Sequence, residues 1–205
     1  MVVAVIAALV GALLAQLGTD PDGSVAAGPS TGQASDANDG NGAEQVAQAR
    51  QTAALPPCPV GDGAPGPAAL QGVSVLCAAD GAPLDVARAL AGRVVVLNLW
   101  AYWCGPCADE LPALVDYQQQ VGQEVSVVTV HQDPNQEAAL LRLAEWDVRL
   151  PTLQDGDRKI AAALKVPNVM PATVVLRADG TVAEILPRAF VSADEIAEAV
   201  KSALR

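Results

Sequence analysis

The sequence predicts an α/β protein: one domain with a central mixed β-sheet flanked by helices, preceded by an N-terminal membrane segment and a flexible tether. From Leu55 onward, apolar runs alternate with amphipathic runs, which is the pattern of a sheet with crossover helices. A uniformly apolar stretch opens the chain, and a polar stretch without an apolar period separates it from the domain. We therefore expect three parts, at residues 1–18, 19–54 and 55–205.

The composition sets the size of the fold and excludes one class of function. The 205 residues are 51% hydrophobic, 17% charged and 3% aromatic, which allows one medium domain with a core and an appendage. The formal net charge is -11 and the isoelectric point is about 4.3. Because nucleic-acid binding depends on clustered Lys and Arg, we expect no nucleic-acid partner.

The N-terminal stretch is typical of a membrane segment. Residues 2–17 carry one polar side chain, Gln16, and no Lys or Arg occurs before Arg50. At about 1.5 Å per residue, a helix of this length barely crosses the roughly 30 Å hydrocarbon core. A signal peptide and a buried soluble helix stay open, but no positive n-region or cleavage site supports a signal peptide. We expect a single-pass anchor in the bacterial cytoplasmic membrane, with the rest of the chain on the extracytoplasmic side.

The next segment is read as a spacer. Residues 19–54 are rich in Gly, Ser, Asp and Asn and contain no aromatic residue. Such a segment cannot bury enough apolar surface to offset its chain entropy. We expect a flexible acidic tether, with a short helix around residues 43–53, that holds the domain off the membrane.

The elements of the domain are expected in the order β-α-β-α-β-β-α. The apolar runs at residues 94–101 and 125–131 predict buried central strands. Between them, residues 104–120 predict a helix that Pro112 kinks. The remaining predicted elements are helices at residues 136–147 and 158–164, a hairpin at 172–186 that turns at 178–180, and a last helix that the capping box of Ser192 and Glu195 opens.

Two cysteines lie where a buried strand ends and a helix begins, in the motif Cys104-Gly105-Pro106-Cys107. Unsatisfied N–H groups and the macrodipole at a helix N-terminus stabilise an anion, so the Cys104 thiolate forms at a lower pH than a free thiol. We expect Cys104 to be the attacking nucleophile and the buried Cys107 to resolve the mixed disulfide. Pro106 fits the first turn, and Gly105 leaves room for an incoming polypeptide. This chemistry is thiol-disulfide exchange and needs no cofactor.

Three other uses of the cysteine pair stay open. A Cys-x-x-Cys pair supplies half of a zinc site, but Cys58 and Cys77 do not form a second such pair. The lone His131, at a strand end, is interpreted as a surface or satisfied histidine. Two thiolates and a distant imidazole also suit copper, and a plain structural disulfide is the third alternative. We assign no metal ligand.

Cys58 and Cys77 flank a loop-rich segment before the first strong strand. Exported proteins favour oxidised pairs, so we expect a structural disulfide that pins the arm in front of the domain. Closing a loop of this length contributes about 3 kcal/mol in the chain-entropy model. A regulatory or redox-relay role stays open.

The segment VVVLNLWAYWCGPCADELPAL, residues 94–114, resembles the active-site segment of the membrane-anchored TlpA/ResA-type thioredoxin-like proteins. The shared features are Asn-Leu-Trp-Ala on the strand, Trp103 before the first cysteine, and Glu-Leu-Pro after the second. The order of elements extends the resemblance over residues 73–204, and plain thioredoxin is less similar. The resemblance implies a thioredoxin-like fold and thiol-disulfide oxidoreductase activity on protein substrates.

The resemblance also implies roles for individual residues. Met170-Pro171 resembles the family's cis-proline loop, which lies beside the cysteines and pairs with the substrate backbone. Glu110 matches an acidic residue just behind the cysteines, where a carboxylate can take the proton of Cys107; a surface helix glutamate is the alternative. The aromatic side chains expected to frame the active-site surface are Trp100, Tyr102 and Trp103.

These observations predict an extracytoplasmic thiol-disulfide oxidoreductase. The CGPC motif and the resemblance favour a reductant that a membrane electron donor keeps reduced and that serves the CxxCH thiols of apocytochrome c during haem attachment. An oxidant that forms disulfides is the first alternative. A copper-handling thioredoxin-like binding module is the second.

Overall fold

The computed structural model describes residues 34–61 and 63–205. Residues 38–205 form one compact unit. The predicted membrane segment, residues 2–17, lies outside the described residues. Within the described part of the chain, no helix is both long and apolar enough to span a bilayer.

Strands and helices alternate along most of the described chain. A short 3₁₀ turn at Ala68–Leu70 precedes the first strand. The elements are α1 (Ala34–Ala53), β1 (Ser74–Cys77), β2 (Pro83–Asp85), α2 (Val86–Ala89), β3 (Val94–Trp100), α3 (Cys107–Val121), β4 (Val125–His131), α4 (Gln136–Glu145), β5 (Thr152–Gln154), α5 (Lys159–Leu164), β6 (Ala172–Leu176), β7 (Val182–Leu186) and α6 (Ala193–Ala203).

The strands form one mixed sheet in the order β2-β1-β5-β4-β3-β6-β7. The central strands β3, β4 and β5 run parallel, and every other neighbouring pair is antiparallel. In the register of β3 and β4, Trp100 lies opposite His131. The carboxyl ends of both strands therefore reach the same edge of the sheet, where α3 begins after β3. This mixed sheet with flanking helices confirms the predicted fold class.

Apolar side chains cover both faces of the sheet and form two core layers. On β3, Val96 and Trp100 face the layer that contains α3 and α6, whereas Val95 and Leu97 face the layer that contains α2 and α5. The alternation follows from the period of two in a strand. Truncating one buried leucine to alanine in such a core costs about 2–5 kcal/mol. Within these two layers, the largest fully buried side chains are Trp100, Phe190, Leu111, Leu114 and Leu143 in the first, and Leu70, Leu90, Leu97, Leu99, Leu153 and Ile160 in the second.

The predicted central strands, the hairpin and the last helix are present, with two shifted helix starts, and α5 begins at Lys159 rather than Arg158. Helix α3 begins at Cys107 rather than Cys104, because Pro106 occupies the N-cap position. Pro112 lies within α3, which continues to Val121. The hairpin of β6 and β7 has a register shift between Val175 and Leu176.

The segment predicted as a flexible tether contains a long helix. Residues 19–33 of the predicted tether lie outside the described residues, and α1 begins at Ala34 and includes the short helix predicted at residues 43–53. Ala49 and Ala53 are buried in a cluster with Ala78 and Leu140. Alanine has the highest helix propensity and loses no side-chain entropy on packing, so a stretch without an apolar stripe still folds against the domain.

Candidate active site

The cysteine motif lies between the central strand β3 and helix α3. Cys104 and Cys107 are joined by a disulfide, and a tight turn holds them, since the Cys107 N–H donates to the Cys104 carbonyl at 3.2 Å. Cys104 is 5% exposed and Cys107 is fully buried. The two sulfurs therefore differ in access, and Cys104 is the one nearer to the surface.

The backbone around the motif suits an anionic sulfur and an incoming chain. Cys104 precedes the first turn of α3, and the positive end of the helix macrodipole favours negative charge at this position. Pro106 removes one N–H that would have no helical partner in any case. A Cβ atom added at Gly105 would meet no atom within 4 Å. The space beside Gly105 is therefore open to an incoming chain.

Two tryptophans near the motif have different environments. Trp103 is 59% exposed, and its indole N–H donates to Asp133 Oδ2 at 3.0 Å. Trp100, which was expected to frame the active-site surface, is fully buried. Its indole N–H donates to Thr129 Oγ1 at 3.3 Å, because its position on β3 directs the side chain into the first core layer. That part of the prediction is wrong.

Glu110 is a buried carboxylate one turn after Cys107 on the same face of α3. Burial raises its pKa from 4.5 to about 7. Two donors oppose this shift: Asn98 Nδ2 contacts Oε2 at 2.8 Å, and the Phe190 backbone N–H contacts Oε1 at 3.3 Å. The alternative of a surface glutamate is wrong, and the side chain can take up or release a proton near neutral pH.

The Met170-Pro171 peptide bond is cis and lies directly before β6. Met170 packs against the core layer that contains both cysteines of the motif. Two residues further on, Thr173 Oγ1 accepts a hydrogen bond from Asn98 Nδ2 at 3.2 Å. The start of β6 is therefore connected through Asn98 to Glu110.

A residue that the sequence did not single out holds the loop before the cis proline. Arg158 donates from Nη1 to Asn168 Oδ1 at 2.5 Å and from Nε to Gln132 Oε1 at 3.1 Å. One guanidinium thus joins this loop to the residue that follows β4. Neither contact follows a local pattern in the sequence.

His131 is fully buried beside the active-site segment. Its ring centroid lies 4.9 Å from that of Trp100 and 6.1 Å from that of Tyr102. Nδ1 is 2.9 Å from Gln154 Oε1, whereas Nε2 has no hydrogen-bond partner among the described residues. Burial lowers the pKa of His131. No cluster of three or more His, Cys, Asp or Glu side chains arranged for a metal occurs in the described part of the chain.

Cys58 and Cys77 form the second disulfide. Cys77 ends β1 and is buried, and Cys58 lies in the segment between α1 and the 3₁₀ turn. One residue after Cys77, the Ala78 carbonyl accepts a hydrogen bond from Arg50 Nε at 3.2 Å. The Cys58–Cys77 disulfide therefore ties the chain after α1 to the end of β1, against which α1 also packs.

The sheet, the cysteine pair at a helix start and the cis proline before β6 define a thioredoxin-like fold with a dithiol/disulfide site. The model of the Redoxin family matches residues 59–200, and the chain belongs to this family.

The chain is also similar to individual curated proteins. The chain is 31% identical to the thiol-disulfide oxidoreductase ResA of Oceanobacillus iheyensis, over 49% of this chain and 53% of that protein. It is 30% identical to ResA of Bacillus subtilis, over 47% and 54%. These matches confirm the resemblance to ResA-type proteins. The chain spans about half the length of the curated relatives it matches.

A solved structure covers more of the fold. A secreted Mycobacterium tuberculosis disulfide oxidoreductase, described as homologous to E. coli DsbE, superposes with a TM-score of 0.57 and 29% identity. The match covers 65% of this chain and 97% of that one.

Proposed function

We propose that the protein is an extracytoplasmic thiol-disulfide oxidoreductase that exchanges dithiol and disulfide with protein substrates. The observation that carries this proposal is the Cys104–Cys107 disulfide at the start of α3, with Cys104 nearer to the surface and Cys107 fully buried. The Redoxin family membership and the ResA-type relatives support it.

In the reducing direction, the Cys104 thiolate attacks one sulfur of a substrate disulfide. The substrate S–S bond breaks, the departing sulfur leaves as a thiolate and takes a proton from solvent, and a mixed disulfide with Cys104 forms. Cys107 then loses its proton and attacks Cys104 Sγ. The second substrate sulfur leaves and is protonated, and the Cys104–Cys107 bond closes. Two electrons and two protons have passed to the substrate.

Glu110 is the acceptor that we assign to the Cys107 proton. It is buried one turn after Cys107, and burial raises its pKa to about 7. A carboxylate with a pKa of about 7 is partly protonated at neutral pH, so it accepts and releases a proton at little cost in free energy. Water has little access to Cys107, so a carboxylate on the same helix face supplies the exchange.

The proposed direction is reduction, with a membrane electron donor that returns the Cys104–Cys107 pair to the dithiol form. The motif has the Gly-Pro dipeptide of thioredoxin, and ResA-type relatives match the chain. Substrates of this proposal are protein thiols and disulfides, with the CxxCH thiols of apocytochrome c as one class. A disulfide-forming oxidant is the competing proposal.

The proposed location is the bacterial cytoplasmic membrane, with residues 2–17 as the single-pass anchor and residues 55–205 outside the cytoplasm. The Cys58–Cys77 disulfide supports this location, because such bonds persist in oxidising compartments. Helix α1 lies in the proposed tether, residues 19–54, and packs on the domain through Ala49 and Ala53.

The reduction potential of the Cys104–Cys107 pair tests the proposal and its direction together. The domain is equilibrated with dithiothreitol or glutathione buffers, and the trapped thiols are quantified. A potential near or below roughly -270 mV, as in thioredoxin, supports a reductant. A potential near about -120 mV, as in a strong periplasmic oxidant, overturns the direction. The Cys104→Ser variant is the control. If the Cys104–Cys107 pair does not titrate reversibly, the proposed activity itself is overturned.

A further inference from the structure

Asn98 has a position in the site that none of the steps above uses. It lies at the centre of β3 and is fully buried. Both contacts of its amide use the same nitrogen: Nδ2 donates to Glu110 Oε2 at 2.8 Å and to Thr173 Oγ1 at 3.2 Å. The amide oxygen, Oδ1, is buried and has no hydrogen-bond partner among the described residues.

This arrangement fits the ionised form of Glu110. Both carboxylate oxygens accept a hydrogen bond, one from Asn98 and one from the Phe190 backbone. Once Glu110 takes a proton, the protonated oxygen becomes a donor and needs an acceptor in a buried site. Asn98 Nδ2 cannot accept, so the observed orientation of the amide no longer suits the pair.

An asparagine can meet both requirements because its amide has a donor end and an acceptor end. A half-turn about the last side-chain bond places Oδ1 where Nδ2 now lies. From there Oδ1 accepts from the protonated Glu110 and from the Thr173 hydroxyl. Since Oδ1 makes no bond in the observed orientation, the rotation breaks only the two bonds of Nδ2, and Oδ1 replaces both.

We propose that Asn98 is a positioning residue that holds the Glu110 carboxylate one turn behind Cys107 and follows its proton by reversing its amide. The inference rests on the proposed function, because it concerns the same proton. It gives Asn98 a role in the resolution step, in which Cys107 must lose a proton inside the core.

The resolution step is measured with a small aromatic disulfide that releases a coloured thiolate. The reduced protein releases one equivalent when Cys104 attacks and a second when Cys107 resolves the mixed disulfide. The rate of the second release, followed against pH, reports the Glu110 transition. In the wild-type protein we expect its midpoint at about 7.

Asn98→Leu removes the donor from the ionised carboxylate and the acceptor from the protonated one. A hydrogen bond to a charged group is stronger than one between neutral groups, so the ionised form loses more and we expect the midpoint to rise by about one pH unit. Asn98→Asp, which keeps the side-chain volume, provides a second test when the leucine variant does not fold. It adds a carboxyl group beside Glu110, so the transition moves upward and splits into two steps.

Thr173→Val is the matched control. It removes the other partner of Asn98 Nδ2 but leaves the bond to Glu110, so we expect its midpoint to stay near that of the wild type. Glu110→Gln removes the transition, and adding Asn98→Leu to it changes the profile no further.

Two results overturn the inference. One is an unchanged midpoint in both Asn98 variants. The other is a midpoint shift in Thr173→Val as large as that in Asn98→Leu, which would assign Asn98 a purely structural role between β3 and β6. If the wild-type protein releases no second equivalent at any pH, the proposed function fails. The two failures are thereby distinguished.

Discussion

The indole N–H of Trp103 donates to Asp133 Oδ2 at 3.0 Å and fixes an exposed aromatic side chain directly before the cysteine pair. The other carboxylate oxygen of Asp133 accepts from the Asn135 backbone N–H at 2.8 Å. Asn135 in turn caps α4. One carboxylate therefore connects the active-site segment to the loop that begins a neighbouring helix.

Asp133→Asn separates these two contacts. The amide oxygen still accepts from the Asn135 backbone, but the amide nitrogen cannot accept from Trp103. We expect exchange with a protein disulfide to slow by about fivefold, the equivalent of roughly 1 kcal/mol, since a large substrate meets the Trp103 surface. Exchange with a small disulfide is expected to stay within about twofold. Stopped-flow rates with the two substrates measure the difference.

Trp103→Phe provides the control, because it keeps an aromatic ring without the N–H. Adding Asp133→Asn to Trp103→Phe is expected to have no further effect on the protein substrate. Equal slowing with the small and the large disulfide would show that the carboxylate affects the cysteines rather than the substrate surface.

The two sulfurs of the motif are expected to react at different rates in the reduced protein. Cys104 lies in front of the helix N-terminus and nearer to the surface, whereas Cys107 is fully buried. We expect iodoacetamide near neutral pH to modify Cys104 at least about tenfold faster. Mass spectrometry of quenched peptides assigns each site, with Cys104→Ser as the control for Cys107 alone. Similar rates at both positions would contradict the assigned roles.

The redox motif and the central strands could be predicted because their signals are local. Cys104 and Cys107 are three residues apart, and the apolar run of β3 shows a buried strand without reference to the rest of the chain. The acidic position of Glu110 followed from the resemblance in the same segment. Its environment did not, because Asn98 and Phe190 lie 12 and 80 residues away in sequence.

Strand β5 and the packing of α1 on the domain could not be predicted from a pattern. Strand β5 has three residues, too few for a period of two, and exists because β4 and β1 pair with it. Helix α1 buries Ala49 and Ala53, whose side chains give no apolar stripe. The strand β5 therefore comes from tertiary pairing rather than from local preference, and the packing of α1 depends on small side chains that no hydrophobic pattern reveals.

Removing the second disulfide is expected to lower stability and leave the redox site active. The double variant Cys58→Ser/Cys77→Ser opens a loop with a sequence separation of 19 residues, which corresponds to about 3 kcal/mol of unfolding free energy in the chain-entropy model. Urea unfolding measures this loss. The reduction potential of the Cys104–Cys107 pair is expected to stay unchanged. A loss of exchange in a folded double variant would instead favour a redox relay between the two pairs.

His131 is expected to make the fold sensitive to acid. Burial holds its pKa below the ordinary 6.5, so the unfolded chain binds a proton that the folded chain excludes. The free energy of unfolding therefore has its full value above pH 6.5 with respect to this group. It falls as the pH drops from 6.5 through the lower pKa of His131 in the folded protein. Glu110 acts in the opposite sense, because its raised pKa makes the folded protein hold a proton that the unfolded chain releases.

The two effects are separated by comparing variants with the wild type at each pH. His131→Phe keeps a ring near Trp100 and Tyr102 but removes the titration. We expect its melting temperature to be lower than that of the wild type at pH 7.5, because the contact with Gln154 is lost, and this deficit to shrink toward pH 5. Gln154→Leu keeps the imidazole of His131 and removes a partner that raises its pKa. The loss of stability at acid pH is therefore expected to persist in this variant. Parallel curves for His131→Phe and the wild type would show that His131 does not titrate with unfolding.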